Sequence, residues 1–253
     1  MGASCSLLAT ETVALRKLIG MTINDCHGGI MDELHLNELI HQIKTQLRPE
    51  LQIESVDPHN PVVIYRIPQP WEKVGTGNYA AVFSHPDYPE VVVKIYAPSR
   101  SGFEEEKEVY QRLGKHPAYS QCFYAEDNCL ILKRLEGVTL YDSVSRGLKI
   151  PKQVIADIDS ALDYAREQGL YPHDVHGKNV MMWQGKGYVV DVSDFLKLES
   201  CSAWENLKTA YYWLYRPILA PLNLRIPYLL LDGVRSSYRA SRSLLDIRRN
   251  RQT

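Results

Sequence analysis

Asp174-Val175-His176-Gly177-Lys178-Asn179 is followed, twelve residues after Asn179, by Asp191 at the end of the apolar run Tyr188-Val189-Val190. Two acceptors five residues apart and a carboxylate delivered by a strand suit phosphate chemistry. In such a set one carboxylate can orient a hydroxyl, while the amide and the second carboxylate can hold Mg²⁺ against a nucleotide's phosphates. Phosphoryl transfer requires positioning and charge neutralisation more than covalent chemistry, so a few groups at fixed spacing suffice. Asx residues also populate ordinary turns. The upstream sequence decides between the two readings.

Working back toward the N-terminus, Val154, Ile155, Ile158, Ala161, Leu162 and Ala165 trace one face of a helix, with Gly169 placed to cap it. Cys129-Leu130-Ile131-Leu132 is a short apolar strand closed by Glu136-Gly137. Phe103, Val109, Tyr110 and Leu113 are spaced for a helix across the charged stretch Glu104–Leu113. Before it, Ala81-Val82-Phe83 and Val91-Val92-Val93-Lys94-Ile95-Tyr96 flank the turn-rich Ser84–Pro89 and predict a hairpin. Val74-Gly75-Thr76-Gly77 forms a glycine-bearing turn one strand ahead of Lys94. Small residues there let backbone amides approach phosphate oxygens, although an ordinary hairpin turn uses glycine too. Lys94 within a valine run must either snorkel to water, as on a sheet edge, or meet an anion. Of the acidic residues nearby, Glu106 lies three after Phe103 and three before Val109, on the apolar face. Glu104, Glu105 and Glu108 are expected to face solvent.

Bulk properties narrow the class. With 253 residues, 45% of them apolar, the chain builds a core. Twenty-nine basic against 30 acidic residues give no global pull toward nucleic acid or an anionic membrane. Five scattered cysteines without a Cys-x-x-Cys spacing read as reduced intracellular thiols. His173 and His176 lack a third ligand placed by the sequence, which disfavours zinc. No apolar run is long enough to span a membrane, and Arg16 and Lys17 stand on the wrong side for a secretory leader, so a cytoplasmic location is expected. The opening Met1-Gly2-Ala3-Ser4-Cys5-Ser6 fits a short myristoylation pattern, a six-residue match that chance explains better. Residues 1–60 read as an extension with an amphipathic helix over 33–48, ended by Pro49. Residues 61–233 read as the main domain, and 234–253, with six arginines, as a basic helix or tail.

In this order (glycine turn, lysine strand, acidic helix, linker strand, long helix, Asp…Asn, strand-Asp) the chain resembles the protein-kinase-like superfamily over roughly residues 70–215. Its abbreviated form is similar to small bacterial serine/threonine-kinase-like proteins akin to Rio-type kinases. The resemblance implies a two-lobed α+β fold, with an antiparallel sheet lobe (about 61–135) and a mainly helical, shortened second lobe (about 136–233). It implies ATP and Mg²⁺, with Mn²⁺ able to substitute. Val74, Gly75, Thr76, Gly77, Val82 and Lys94 would embrace the nucleotide, and Leu132, Arg134 and Leu135 would line its adenine side. Lys94 would pair with Glu106, Asp174 would be the catalytic base, and Asn179 and Asp191 would hold metal. Lys178 would neutralise the transferred phosphate, or else be a surface lysine.

Departures from the protein-kinase pattern are concrete. Pro172 and His173 stand where histidine and arginine are usual, Asp191-Val192-Ser193 replaces Asp-Phe-Gly, and no Ala-Pro-Glu follows. Asp194-Phe195 offers a competing register, disfavoured because the apolar strand ends at Asp191. The resemblance thus points to a serine/threonine protein kinase without specific nucleic-acid partners. The alternatives are a small-molecule or sugar kinase similar to aminoglycoside- or lipopolysaccharide-directed enzymes, and a nucleotide-binding module without turnover.

Overall fold

The computed structural model describes residues 31–199 and 201–233. The Met1–Ser6 motif and the basic stretch 234–253 lie outside them. The chain divides into two compact units, Met1–Ile40 and His41–Thr253, and the architecture below is that of the second.

A five-stranded antiparallel sheet runs in the order β3-β4-β5-β7-β6. It comprises β3 (Glu72–Thr76), β4 (Ala80–Ser84), β5 (Val91–Tyr96), β6 (Cys122–Glu126) and β7 (Cys129–Lys133). The β4–β5 hairpin is the one expected, with Val82 opposite Lys94 and Phe83 opposite Val93. Strand β5 is central, pairing with β7 on its other side. Its β-branched composition suits a strand covered on both faces. A smaller pair, β1 (Gln52–Glu54) and β2 (Val63–Arg66), precedes the sheet.

The helix expected over 33–48 is observed as α1 (Glu33–Gln42), which continues through a π turn, Ile43–Leu47, into a last turn, Arg48–Glu50. Pro49 does not end it. The Arg48 amide reaches back to the Ile43 carbonyl, and Pro49 takes an early position of the final turn where no amide is required. Ile43 and Leu47 are buried. The Gln42 amide reaches the Tyr88 hydroxyl at 3.4 Å, Lys44 lies over the Tyr124 ring at 5.9 Å, and Arg48 pairs with Asp127 at 3.3 Å. This stretch of helix therefore packs on the sheet.

Helix α2 (Phe103–Leu113) joins β5 to β6. Three glutamates in its first turn and Arg112 in its last complement the helix dipole. The second part of the fold holds α3 (Leu140–Arg146), α4 (Lys152–Glu167), α5 (Ala203–Ala210) with its π continuation Tyr211–Leu219, and a three-stranded sheet. That sheet contains β8 (Val138–Thr139), β9 (Val180–Trp183) and β10 (Lys186–Val189). The expected apolar face of α4 is buried at all six positions. Strand β10 presses directly on it: a Cβ at Gly187 would stand 2.4 Å from the Val154 carbonyl oxygen.

One apolar core runs through both parts, from Tyr96, Phe103 and Leu130 to Ile155, Leu162, Phe195 and Trp204. Polar stitches join the two parts. The Tyr164 hydroxyl donates to the Leu113 carbonyl at 2.8 Å, and that of Tyr119 to Ala161 at 2.7 Å. The Val189 amide donates to Ala118 at 2.9 Å. These bonds set the end of β10, and with it Asp191, against the sheet.

Candidate active site

Lys94 is half-buried, with its ammonium 2.8 and 2.7 Å from the two oxygens of Glu106 and 3.6 Å from Asp191 Oδ1. Lys94 projects from the β5 face shared with Val92 and Tyr96, because side chains alternate along a strand. Glu106, on the inward face of α2, is only 1% exposed. Tyr96 donates its hydroxyl to Glu106 as well. Glu104 and Glu105 point to solvent, and Glu108 pairs with Arg112.

The electrostatics follow from this cluster. Burial opposes the charge on Lys94, yet Asp191 and Glu106 outweigh it and raise its pKa above the usual range. Burial raises Glu106 against the pull of Lys94. Burial also works against Asp191, but Lys94 and the Ser193 amide hold its carboxyl below the usual range, with His176 adding to the effect. The Ser193 amide donates to Asp191 at 3.2 Å.

Asn179 is brought beside Asp191 by the backbone, since the Val190 amide donates to the Asn179 carbonyl at 3.0 Å. Its side-chain Nδ2 donates to the Asp174 carbonyl at 3.1 Å. This fixes the amide so that its oxygen is left to accept. A carboxamide oxygen and a carboxylate held low fit a hard oxygen-seeking cation such as Mg²⁺, which keeps waters and phosphate oxygens in its remaining positions. Asp174 occupies the left-handed region at φ 53°, its amide donating to Cys201 Sγ at 3.4 Å. The His176 ring lies 3.8 Å from the Asp174 carboxylate.

The glycine turn is informative for what does not require it. The Gly77 amide donates to the Ala80 carbonyl at 2.9 Å, closing the turn between β3 and β4. Neither Gly75 nor Gly77 adopts a positive φ, and a Cβ would meet nothing within 4 Å at Gly75 and only an ordinary 3.8 Å contact at Gly77. The fold itself places no demand for glycine here. The open space above the turn is what a phosphate group would use. Val74 and Thr76 are exposed along that edge, and Val82 lies across from Lys94. In the linker, Leu132 is buried, Arg134 and Leu135 are half-buried, and the Arg134 amide is already taken by the Glu90 carbonyl at 2.8 Å.

Lys94, Glu106, Asp191, Asn179 and Asp174 thus form one connected series. Lys178 stands apart from it, pairing with Asp232 at 3.4 Å and lying 4.2 Å from the centre of the Tyr141 ring. Asp194, the competing register, faces Lys197 at 2.9 Å and His173 at 4.0 Å, while Phe195 enters the core. Asp191 alone of the two faces Lys94. The sequence did not single out Tyr96, although its place two residues after Lys94 on the same strand face was a usable signal. For His176 the sequence suggests only metal ligation, paired with His173. Cys201 and Asp232 carried no local signal. Burial pushes the thiols of half-buried Cys122 and buried Cys129 up to about 12, which favours their protonated form.

An antiparallel sheet with a lysine–glutamate pair, joined to a helical part that supplies Asp, Asn and Asp, defines a protein-kinase-like chain. The homology is distant. Over 169 residues, 66% of this chain and 78% of the relative, it is 27% identical to the Bacillus subtilis (strain 168) protein named "Putative serine/threonine-protein kinase YrzF". Among solved structures it is similar to the Mycobacterium tuberculosis PknI kinase domain. A mutant form matches at 19% identity over 55% of this chain and 62% of that one, with TM-score 0.38. A second structure of that domain matches at 20% identity over 48% of this chain and 56% of that one, also with TM-score 0.38. The chain therefore spans less than two thirds of those solved chains. No family model matches.

Proposed function

We propose that the protein is an ATP-dependent phosphotransferase that moves the γ-phosphoryl group to a hydroxyl, with serine or threonine of a protein as acceptor. The observation that carries this reading is the Lys94 ammonium held between Glu106 and Asp191, with Asn179 and Asp174 bonded alongside. In this reading residues 61–233 form the catalytic domain, with lobes meeting near residue 135. Residues 1–60 are an extension, and the protein works in the cytoplasm. Lys94 and the Val74–Gly77 backbone would hold the phosphates, and Leu132 and Leu135 would flank the adenine. Asn179 and Asp191 would hold Mg²⁺, which supplies charge neutralisation when bound. Glu106 fixes Lys94, and Asp174 orients the acceptor hydroxyl.

A small-molecule acceptor is the second reading, favoured by one observation. A pocket of about 370 Å³ lined by Thr139, Tyr141, Asp142, Lys178, Tyr228 and Asp232 adjoins the Asp174–Asn179 loop. That volume falls in the range of small-molecule sites.

The test incubates the full chain with labelled ATP, Mg²⁺ and cell extract, sorts label into protein and low-mass products, and maps modified residues by mass spectrometry. Lys94→Met and Asp191→Ala should abolish transfer. Asp174→Ala should keep nucleotide binding while transfer falls some hundreds-fold, the usual effect of losing about 3–4 kcal/mol of transition-state stabilisation. Transfer that survives both aspartate changes rules the reading out. Nucleotide-dependent thermal stabilisation without any turnover would assign the protein as a binding module.

A further inference from the structure

The glycine turn between β3 and β4 is held from outside, by Val62 and Arg100. The Val62 amide, at the entry to β2, donates to the Gly77 carbonyl at 2.9 Å. The Arg100 side chain donates through Nε to the Asn78 carbonyl at 3.0 Å and through Nη2 to the Pro58 carbonyl at 2.6 Å. Its guanidinium lies 5.2 Å from the centre of the Tyr79 ring. The Ala97 amide takes the next carbonyl, that of Tyr79, at 3.0 Å. Three successive carbonyls of the turn are therefore anchored.

Anchored oxygens dictate where the amides point. The peptides of the turn are trans, and a trans peptide is planar, with its N–H directed opposite to its C=O. The Gly77 carbonyl shares one such plane with the Asn78 amide, and the Asn78 carbonyl shares the next with the Tyr79 amide. Fixing both oxygens turns the first N–H away from Val62 and the second away from the Arg100 guanidinium. Among the described residues neither amide has a backbone acceptor. Successive N–H groups on one turn are what an anion such as phosphate recognises. Arg100 stands six residues after Lys94, in a turn closed by its own amide on the Ala97 carbonyl at 2.9 Å. The strand that carries Lys94 thus also delivers the guanidinium that shapes the turn.

We propose that Arg100 is a positioning residue: with Val62 it aims the Asn78 and Tyr79 amides at the phosphates of the nucleotide. Residues 57–62 thereby become part of the binding apparatus. The proposal rests on the reading that this turn receives phosphate.

Calorimetry on the full chain compares Mg·ATP with adenosine. Arg100→Ala should weaken Mg·ATP binding roughly tenfold, as expected for one lost hydrogen bond to phosphate. Adenosine, which has no phosphate, should bind as it does to wild type. Arg100→Lys keeps the charge but cannot span two carbonyls, so it should stay close to the alanine variant. Without nucleotide, amide exchange at Val62 and Gly77 should quicken roughly tenfold in Arg100→Ala while the amides of α4 keep their protection. Full recovery with lysine would make the effect one of charge alone and overturn the proposal. So would an equal loss for ATP and adenosine, or unchanged exchange at Val62 and Gly77. A wild type that binds no Mg·ATP overturns this proposal and the catalytic reading together, whereas binding that ignores Arg100 overturns this proposal only.

Discussion

Glu106 receives donors from Lys94 and Tyr96, two residues on the same face of β5. Removing its charge leaves a lysine facing only Asp191, so Glu106→Gln should destabilise the fold by about 3–5 kcal/mol, the usual cost of breaking a buried pair. Tyr96→Phe removes one charge-assisted bond and should cost about 1.5–3 kcal/mol, with Lys94 still in place. Urea denaturation of both variants checks the order. Titration gives a second prediction. The Asp191 pKa is lowered, so its contribution to stability is complete above the ordinary carboxylate value of about 4 and is lost as pH falls. The Lys94 pKa is raised, so its contribution is complete below about 10.4 and fades only as pH rises beyond that. The Tm difference between wild type and Asp191→Asn should hold constant from about pH 5 to 9 and change only below about pH 4. The inward face of Glu106 was legible from helix phase, because it sits among Phe103, Val109 and Tyr110, while its pairing with Lys94 came from the resemblance. The Tyr96 bond was not, since it depends on how deeply Glu106 is set, a property of the packed molecule.

At the level of elements, the glycine turn and β10 make opposite demands. Gly75→Ala and Gly77→Ala should leave unfolding free energy within about 0.5 kcal/mol of wild type, as expected where nothing is crowded. If phosphate occupies the space above the turn, both should weaken nucleotide binding, measured by calorimetry. Gly187→Ala drives a methyl into the Val154 carbonyl and should cost about 1–3 kcal/mol through strain, seen as a lowered denaturation midpoint. The β4–β5 hairpin and α4 were plain in the sequence because their apolar residues repeat at the strand and helix periods. Strand β1 was hidden, since Gln52-Ile53-Glu54 holds one apolar residue and gains its identity from β2. Leu214, seven residues after the half-buried Leu207 and so on the same face in a regular helix, is 51% exposed. The chain switches to π geometry at Tyr211, which resets the phase a regular helix would keep.

For the molecule as a whole, the two parts share one core, so a nucleotide held between them as proposed should stabilise everything at once. Saturating Mg·ATP, at about a hundred times its dissociation constant, should add about 2.7 kcal/mol and raise Tm for wild type but little for Asp191→Ala, as scanning calorimetry can show. The sequence revealed the order of the parts but not the attachments between distant segments. Tyr228 donates to Asp142 at 3.0 Å and Tyr141 to Asp232 at 2.6 Å, bonds across about ninety residues that no local pattern announces. The grip of one strand on Glu106 has a further bearing on control. Swinging α2 outward would carry Glu106 away and leave Lys94 and the Tyr96 hydroxyl without their shared acceptor, so a resting form with that helix withdrawn is costly. If the protein transfers phosphate as proposed, its lysine–glutamate pair is held assembled, and any throttle has to work through admission, by governing what reaches Lys94 and Asp174.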